Sequence, residues 1–227
     1  MIKYIKTLML ENLGPLLQGR FSYAQEGEDL ALDRLMEHKR SGFYVEIGCH
    51  HPFRFSNTYF FYKRGWNGVC IDPLPGTAKQ FKKWRPRDQV LEIGVSQEPG
   101  SMMYYMFNEP ALNTFDKTVA EQRDGLNGYK LKKEVLVPTN SLGAILDRMF
   151  VPEKIDFFSV DVEGLDLDVL KSNNWNKYRP RMIVAESLSA NLVGLEFDAV
   201  VGYLMKQGYK PVIKTGCSVI FTGESYE

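Results

Sequence analysis

Apolar residues recur with two different periods along the chain, and the switches between them predict its architecture. Residues 2–17 set Ile5, Leu8, Met9, Leu13, Leu16 and Leu17 at helical spacing, which predicts an amphipathic helix closing near Gly14-Pro15 or Gly19. After Ser22–Asp29, a second helix is expected through about Lys39. Short, unbroken apolar runs follow at 42–48, 68–72, 89–95, 155–161 and 181–186, each read as a buried strand. Helical stretches at 56–64, 76–84, 141–149, 165–171 and about 195–207 lie between or after them. Strand and helix alternating at this spacing predict parallel strands joined by right-handed crossovers. Two final runs, Tyr209–Lys214 and Ser218–Thr222, have only a short turn holding Thr215 and Gly216 between them. They must pair antiparallel.

The expected fold class is therefore α/β and Rossmann-like. It has a mostly parallel seven-stranded sheet, a C-terminal antiparallel hairpin and helices on both faces. Ser101–Phe107 reads as a further strand, and 134–138 as a short extended piece. Between them, 108–134 is polar and weakly periodic, an insertion or lid. The chain of 227 residues reads as a single domain, 1–227, with 1–40 as an N-terminal helical extension.

Composition narrows the function classes. Lysine plus arginine and aspartate plus glutamate each number 28, so the basic excess of a nucleic-acid binder is missing. Cys49, Cys70 and Cys217 are sparse and widely spaced, which suits neither a disulfide framework nor a zinc site. No apolar run is long enough to span a bilayer, and the start of the chain lacks a signal-peptide pattern because Glu11 interrupts it. A cytoplasmic location is expected. The helix at 2–17 is expected to pack on its own domain or to form a homodimer.

In a doubly wound sheet, ligands bind beyond the carboxyl ends of the strands. The strand tips here carry Glu46 and Gly48, then Asp72, then Asp161 and Glu163, then Glu186. Gly48 lets backbone approach a ligand, and Asp72 is placed to accept both hydroxyls of an adenosine ribose. Carboxylates around the turn would repel a dinucleotide pyrophosphate but suit S-adenosylmethionine (SAM), which carries a sulfonium and an ammonium.

Ordered blocks between about residues 21 and 187 carry a family resemblance. They are Ser22–Asp29; Gly42–Pro52; Ser56, Asn57 and Thr58; Gly65–Pro73; Arg85-Pro86; Ile155–Gly164; and Arg179–Glu186. In order and spacing the chain resembles the FkbM family of methyltransferases. The resemblance implies SAM as cofactor and O-methylation, often of a sugar hydroxyl on a glycan, glycolipid or glycosylated metabolite. It implies Glu46, Gly48, Asn57, Thr58 and Asp72 around SAM, with Asp161 and Glu163 toward the methionine end and the acceptor. Cys49, His50, Pro73, Gly94 and Val95 complete the expected cofactor set. His50 stands where class I methyltransferases usually carry a second glycine.

Methyl transfer needs an acceptor held in line with the methyl group, and an alcohol must also lose its proton. His51, His50, Asp161 and Glu163 are the candidate bases. Gln25, Asp29, Arg54, Glu163 and Glu186 are the candidate substrate contacts, Arg54 for an anionic group. Glu28 and Asp29 read equally as acids near a helix start. Asp161, Glu163 and Glu186 are hard oxygen donors that suit magnesium, but no spacing requires a metal. The run Lys79, Lys82, Lys83, Arg85 and Arg87 reads as a solvated helix face, and Trp66 and Trp175 as core. Other functions weighed are methylation of an amide, phosphate or lipid-linked group, and a non-catalytic SAM-binding module.

Overall fold

A computed structural model describes residues 19–188 and 192–223. The expected helix at 2–17 lies outside the described residues. Among the described residues the first helix, α1 (Glu28–Leu35), leads into β1 (Phe43–Ile47), α2 (Tyr59–Lys63), β2 (Asn67–Ile71), α3 (Thr77–Trp84) and β3 (Gln89–Leu91). Next come β4 (Gly94–Val95), β5 (Gly100–Phe107), a 3-10 turn (Pro110–Leu112), α4 (Lys117–Arg123), a second 3-10 turn (Leu126–Gly128) and β6 (Leu131–Asn140). The chain continues with α5 (Leu142–Asp147), β7 (Phe157–Val160), α6 (Asp166–Lys171), β8 (Met182–Glu186) and a third 3-10 turn (Val193–Phe197). It ends with α7 (Ala199–Lys206), β9 (Tyr209–Lys214) and β10 (Ser218–Gly223).

The main sheet has seven strands in the order β3-β2-β1-β7-β8-β10-β9. β1 pairs parallel with β2 and β7, β7 pairs parallel with β8, and β2 with β3. β10 runs antiparallel to β9, as the short turn at Thr215-Gly216 demands, and also antiparallel to β8. Strand order reverses between β1 and β7, so the tips of those two strands flank the crevice of a doubly wound sheet.

Period-two alternation sends each strand's side chains to opposite layers. Phe43, Val45 and Ile47 of β1 join Val69, Phe158, Val160 and Ile183 in one cluster, covered by Leu142 and Ile145 of α5, Val169 and Leu170 of α6, and Val201 and Leu204 of α7. Tyr44 faces the other layer with Cys70, Phe157 and Val184, under Leu32 of α1, Phe61 of α2 and Phe81 of α3. Trp66 is fully buried there. Trp175 is partly buried, and its indole N–H donates to the Leu170 carbonyl at 3.0 Å.

Two expectations are corrected. The run 89–95 is not one strand: β3 stays in the main sheet, while β4 crosses to a second, three-stranded sheet ordered β4-β6-β5. The polar stretch 108–134 is more ordered than its composition suggests. It holds α4 and the start of β6, which pairs antiparallel with β5 from Gly100 to Phe107. Tyr105, Phe107 and Ala120, with Leu112, Tyr129 and Leu131, form its own small apolar cluster. Among the described residues no helix is long and apolar enough to cross a membrane.

Candidate functional site

A cavity lies beyond the carboxyl ends of β1, β2 and β7. Of the expected residues, Gly48, His50, Asp72, Pro73, Val95, Asp161, Glu163 and Gln25 line it. Ile71, Ile93 and Phe115 add apolar wall, and Tyr104 and Asn113 add polar groups from β5 and the segment after it.

Gly48 has a positive φ of 80°, and its missing Cβ serves packing as well as access. A Cβ there would stand 1.7 Å from the Asp161 carbonyl oxygen. Glycine is thus required for the tips of β1 and β7 to meet. Gly94 does not line the cavity but makes room for a wall residue, since a Cβ would sit 2.6 Å from the Phe115 ring.

Asp72 is held from both sides. Its Oδ2 accepts the His50 amide at 2.7 Å and its Oδ1 accepts the Leu74 amide at 2.8 Å. Burial pushes the carboxyl up to about 6 against those two bonds. The amides fix its direction and leave lone pairs on each oxygen for a ligand. The His50 side-chain Nε2 is buried with no protein partner. Burial, followed by Arg54 and His51, drives that imidazole down to about 4.

At the tip of β7 the acids gather. Oxygens of Asp161, Glu163 and Glu186 lie within 4.8 Å of one another. Asp161 is open to the cavity, yet desolvation and then the charges of Asp166 and Glu163 raise its pKa strongly. Glu186 is raised for the same reasons, with Asp161 as the leading charge, and Asp166 rises to about 7 chiefly through burial. Arg123 of α4 donates to the Glu163 carboxylate and, at 3.0 Å, to the Leu112 carbonyl. The Thr114 hydroxyl donates to the Glu163 carbonyl at 2.8 Å, so the β5–β6 segment is fastened to this strand tip at two points.

The other expected residues stand elsewhere. Glu46 points with Tyr44 into the opposite layer, where it accepts Thr58 Oγ1 at 2.6 Å and faces fully buried Arg85 at 3.5 Å. Thr58 is consumed in that network, and the Asn57 amide donates to Ser159 Oγ at 3.0 Å. Cys49 is buried behind the turn, its thiol pushed up by burial. His51 Nδ1 accepts the amides of Phe53 and Arg54 at 3.3 and 3.2 Å, a turn-stabilising role outside the cavity. Asp29 accepts Ser22 Oγ at 2.6 Å and the Tyr23 amide at 2.7 Å, tying down the chain before α1. Arg54 is spent on a two-pronged pair with Glu109, at 2.8 and 3.0 Å. Glu186 abuts Asp161 without reaching the cavity wall.

Sequence reasoning passed over Asn113, Phe115 and Arg123, which sit in the polar stretch without periodic signal. It also misread Arg85, hidden in a run of basic residues. Alternation along β1 was the available clue for Glu46: it follows Val45 and so must face away from the layer that receives Val45 and Ile47.

This strand order, with Asp72 past β2 and Asp161 past β7 bordering one cavity, is that of a class I methyltransferase. The family model of the methyltransferase FkbM domain matches residues 46–211, and the chain belongs to that family. It is a SAM-dependent methyltransferase. None of the curated proteins matches it by sequence. Among solved structures it is similar to the precorrin-6y C5,15-methyltransferase of Geobacter metallireducens GS-15, with 10% identity over 86% of each chain and a TM-score of 0.44. A TehB-like SAM-dependent methyltransferase of Corynebacterium glutamicum is 11% identical over 97% of each chain, also with a TM-score of 0.44. The 1,6-didemethyltoxoflavin-N1-methyltransferase of Burkholderia thailandensis, solved with 1,6-didemethyltoxoflavin and S-adenosylhomocysteine, is 9% identical over 97% of this chain and 88% of that one, with a TM-score of 0.44.

Proposed function

We propose that this methyltransferase acts on a hydroxyl of a sugar, carried on a glycan, glycolipid or glycosylated metabolite. The observation that carries the reading is the single cavity bordered by Gly48, Asp72, Asp161 and Glu163. Its donor set fits SAM. Asp72 offers an oriented carboxylate for ribose hydroxyls, and Ile71, Ile93, Val95 and Phe115 offer an apolar slot for an adenine ring. The unpartnered His50 Nε2 is a buried polar atom that a bound molecule would satisfy. SAM supplies a methyl group on a sulfonium, and that cation suits the acids at the tip of β7.

The protein's own contribution is to hold the acceptor and take its proton. Gln25, Asn113 and Glu163 offer hydrogen-bonding groups at the cavity, and Tyr104 and Phe55 offer ring faces against which a sugar can lie. A hydroxyl held behind the methyl carbon reacts by positioning, helped by a carboxylate that accepts its proton.

Titration calorimetry with SAM and, separately, with NAD tests the cofactor half: SAM should bind and NAD should not. NAD binding without SAM binding would remove the reading altogether. The acceptor half is tested with methyl-labelled SAM offered alongside glycosides, amides and phosphates. Label on the glycosides supports a sugar acceptor, and label only on another class replaces it. Tight SAM binding with no transfer to any of them would point to a binding module.

A further inference from the structure

One buried hydroxyl reaches the cavity from the second sheet. Side chains alternate along β5, so Tyr105 and Phe107 enter that sheet's own apolar cluster while Tyr104 turns the opposite way, to the cavity wall. Tyr104 is only 5% exposed. The ionisable groups facing its hydroxyl are Asp72 first, then Cys49 and Glu163, and the two acids line the cavity. The ring thus points its polar end at the strand tips of the main sheet.

Neighbours fix that direction. The Phe115 ring packs on the Tyr104 ring with centroids 4.7 Å apart, and Phe115 is itself seated where Gly94 leaves room. Asn113, also buried, has its carboxamide oxygen committed to the Phe107 amide at 2.8 Å. That bond leaves its N–H2 end to bear on the Tyr104 oxygen. A phenol oxygen approached by a donor keeps its own proton to give, and among the described residues no group accepts that proton. Burial, followed by the charge of Asp72, holds the phenol well above its ordinary range, so it is a hydrogen-bond donor and never a base. A buried hydroxyl in that state calls for a partner, and the cavity is where one can bind.

We propose that the Tyr104 hydroxyl donates a hydrogen bond to the adenosine of the methyl donor where base meets ribose, and that Asn113 is a positioning residue that aims the phenol. This rests on the reading of the cavity as the SAM site. Asp72 faces the hydroxyl and is the carboxylate suited to the ribose, while Phe115 packs on the same ring and belongs to the apolar slot suited to adenine. Between those two parts of adenosine lie two lone-pair atoms, the purine N3 and the ribose ring oxygen. The second sheet is then part of the donor's binding site and not only a cover over it.

The test needs no known acceptor, because S-adenosylhomocysteine binds without reacting. Calorimetry on the full chain should show Tyr104→Phe weakening it about tenfold, as loss of one buried hydrogen bond does. Asn113→Ala should weaken it about threefold, since the phenol can still donate but is no longer aimed. Added to Tyr104→Phe, the same change should cost nothing further, which a general structural role would not produce. Should Asn113→Ala not fold, Tyr104→Phe decides alone, because it removes one oxygen and keeps the ring. Two analogues locate the partner atom: 3-deaza-adenosylhomocysteine lacks the purine N3, and the carbocyclic analogue lacks the ribose ring oxygen. Whichever binds wild type and Tyr104→Phe equally is missing the atom that the hydroxyl meets. Unchanged affinity of Tyr104→Phe for S-adenosylhomocysteine overturns the proposal. So does the same loss for all three ligands, because the hydroxyl would then act on the shape of the cavity and on neither atom. A wild type that binds neither SAM nor S-adenosylhomocysteine strikes the SAM reading itself, an outcome distinct from both.

Discussion

Two groups of acids, one behind β1 and one at the tip of β7, are compensated in opposite ways. Behind the strand, Glu46 and Asp88 share Arg85, which reaches Asp88 Oδ2 at 2.6 Å, Thr58 Oγ1 at 2.8 Å, the Tyr44 hydroxyl at 3.0 Å and the Pro52 carbonyl at 3.2 Å. The guanidinium has no exposed surface and its donors are taken up by protein. At the tip of β7, Asp161, Glu163, Asp166 and Glu186 face one Arg123, which is itself partly exposed and borne on the β5–β6 segment. A saturated network fixes a structure. The second is under-compensated by protein groups, and only it borders the cavity.

The largest expected effect lies behind the strand. Arg85→Ala should remove about 3–5 kcal/mol of stability in urea unfolding, since it leaves two buried carboxylates without their cation. Arg123→Ala should remove only about 1 kcal/mol, as a partly exposed pair does. Equal losses would erase the distinction between the two groups. Next in size is Asp72→Ala, which should weaken SAM binding about 100-fold by calorimetry through the loss of two charge-assisted hydrogen bonds. Unchanged affinity would move the ribose elsewhere.

A smaller effect is expected from pH. Asp72 has its carboxyl raised to about 6 by burial, so it is ionised above that pH and protonated below it. SAM affinity should therefore rise as pH increases through 6, by up to about tenfold per unit on the acid side. Asp72→Asn should flatten that slope, and a slope that survives belongs to another group. The smallest effect is Arg54→Ala. Its pair with Glu109 is exposed, and unfolding should change by less than about 1 kcal/mol.

Much of the fold was legible because continuous apolar runs have one reading in a sheet covered on both faces. Phe157–Val160 and Met182–Glu186 came out within a residue or two of the expected strands. The second sheet was not legible. Lys132, Lys133 and Glu134 of β6 are all exposed, so half of that strand shows no apolar periodicity, and its pairing with β5 is visible only in three dimensions. In the site, Asp72 and Asp161 follow from their place just past a strand end. Glu46 misled because it precedes the strand's last residue, Ile47, and belongs to the other layer. Arg85 ends a helix whose lysines face water, and only its partners Glu46 and Asp88, distant or hidden by the turn, reveal that it goes inward.

Gly48 and the Asp161 carbonyl touch so closely that the turn of β1 and the tip of β7 behave as one mechanical part. The cavity-lining residues at these two strand ends cannot drift apart independently. A relative that adopts a different acceptor would have to reshape the other wall, the β5–β6 segment with Asn113, Phe115 and Arg123. Variation in what such enzymes methylate should therefore be written there, around an unvarying hinge-free junction.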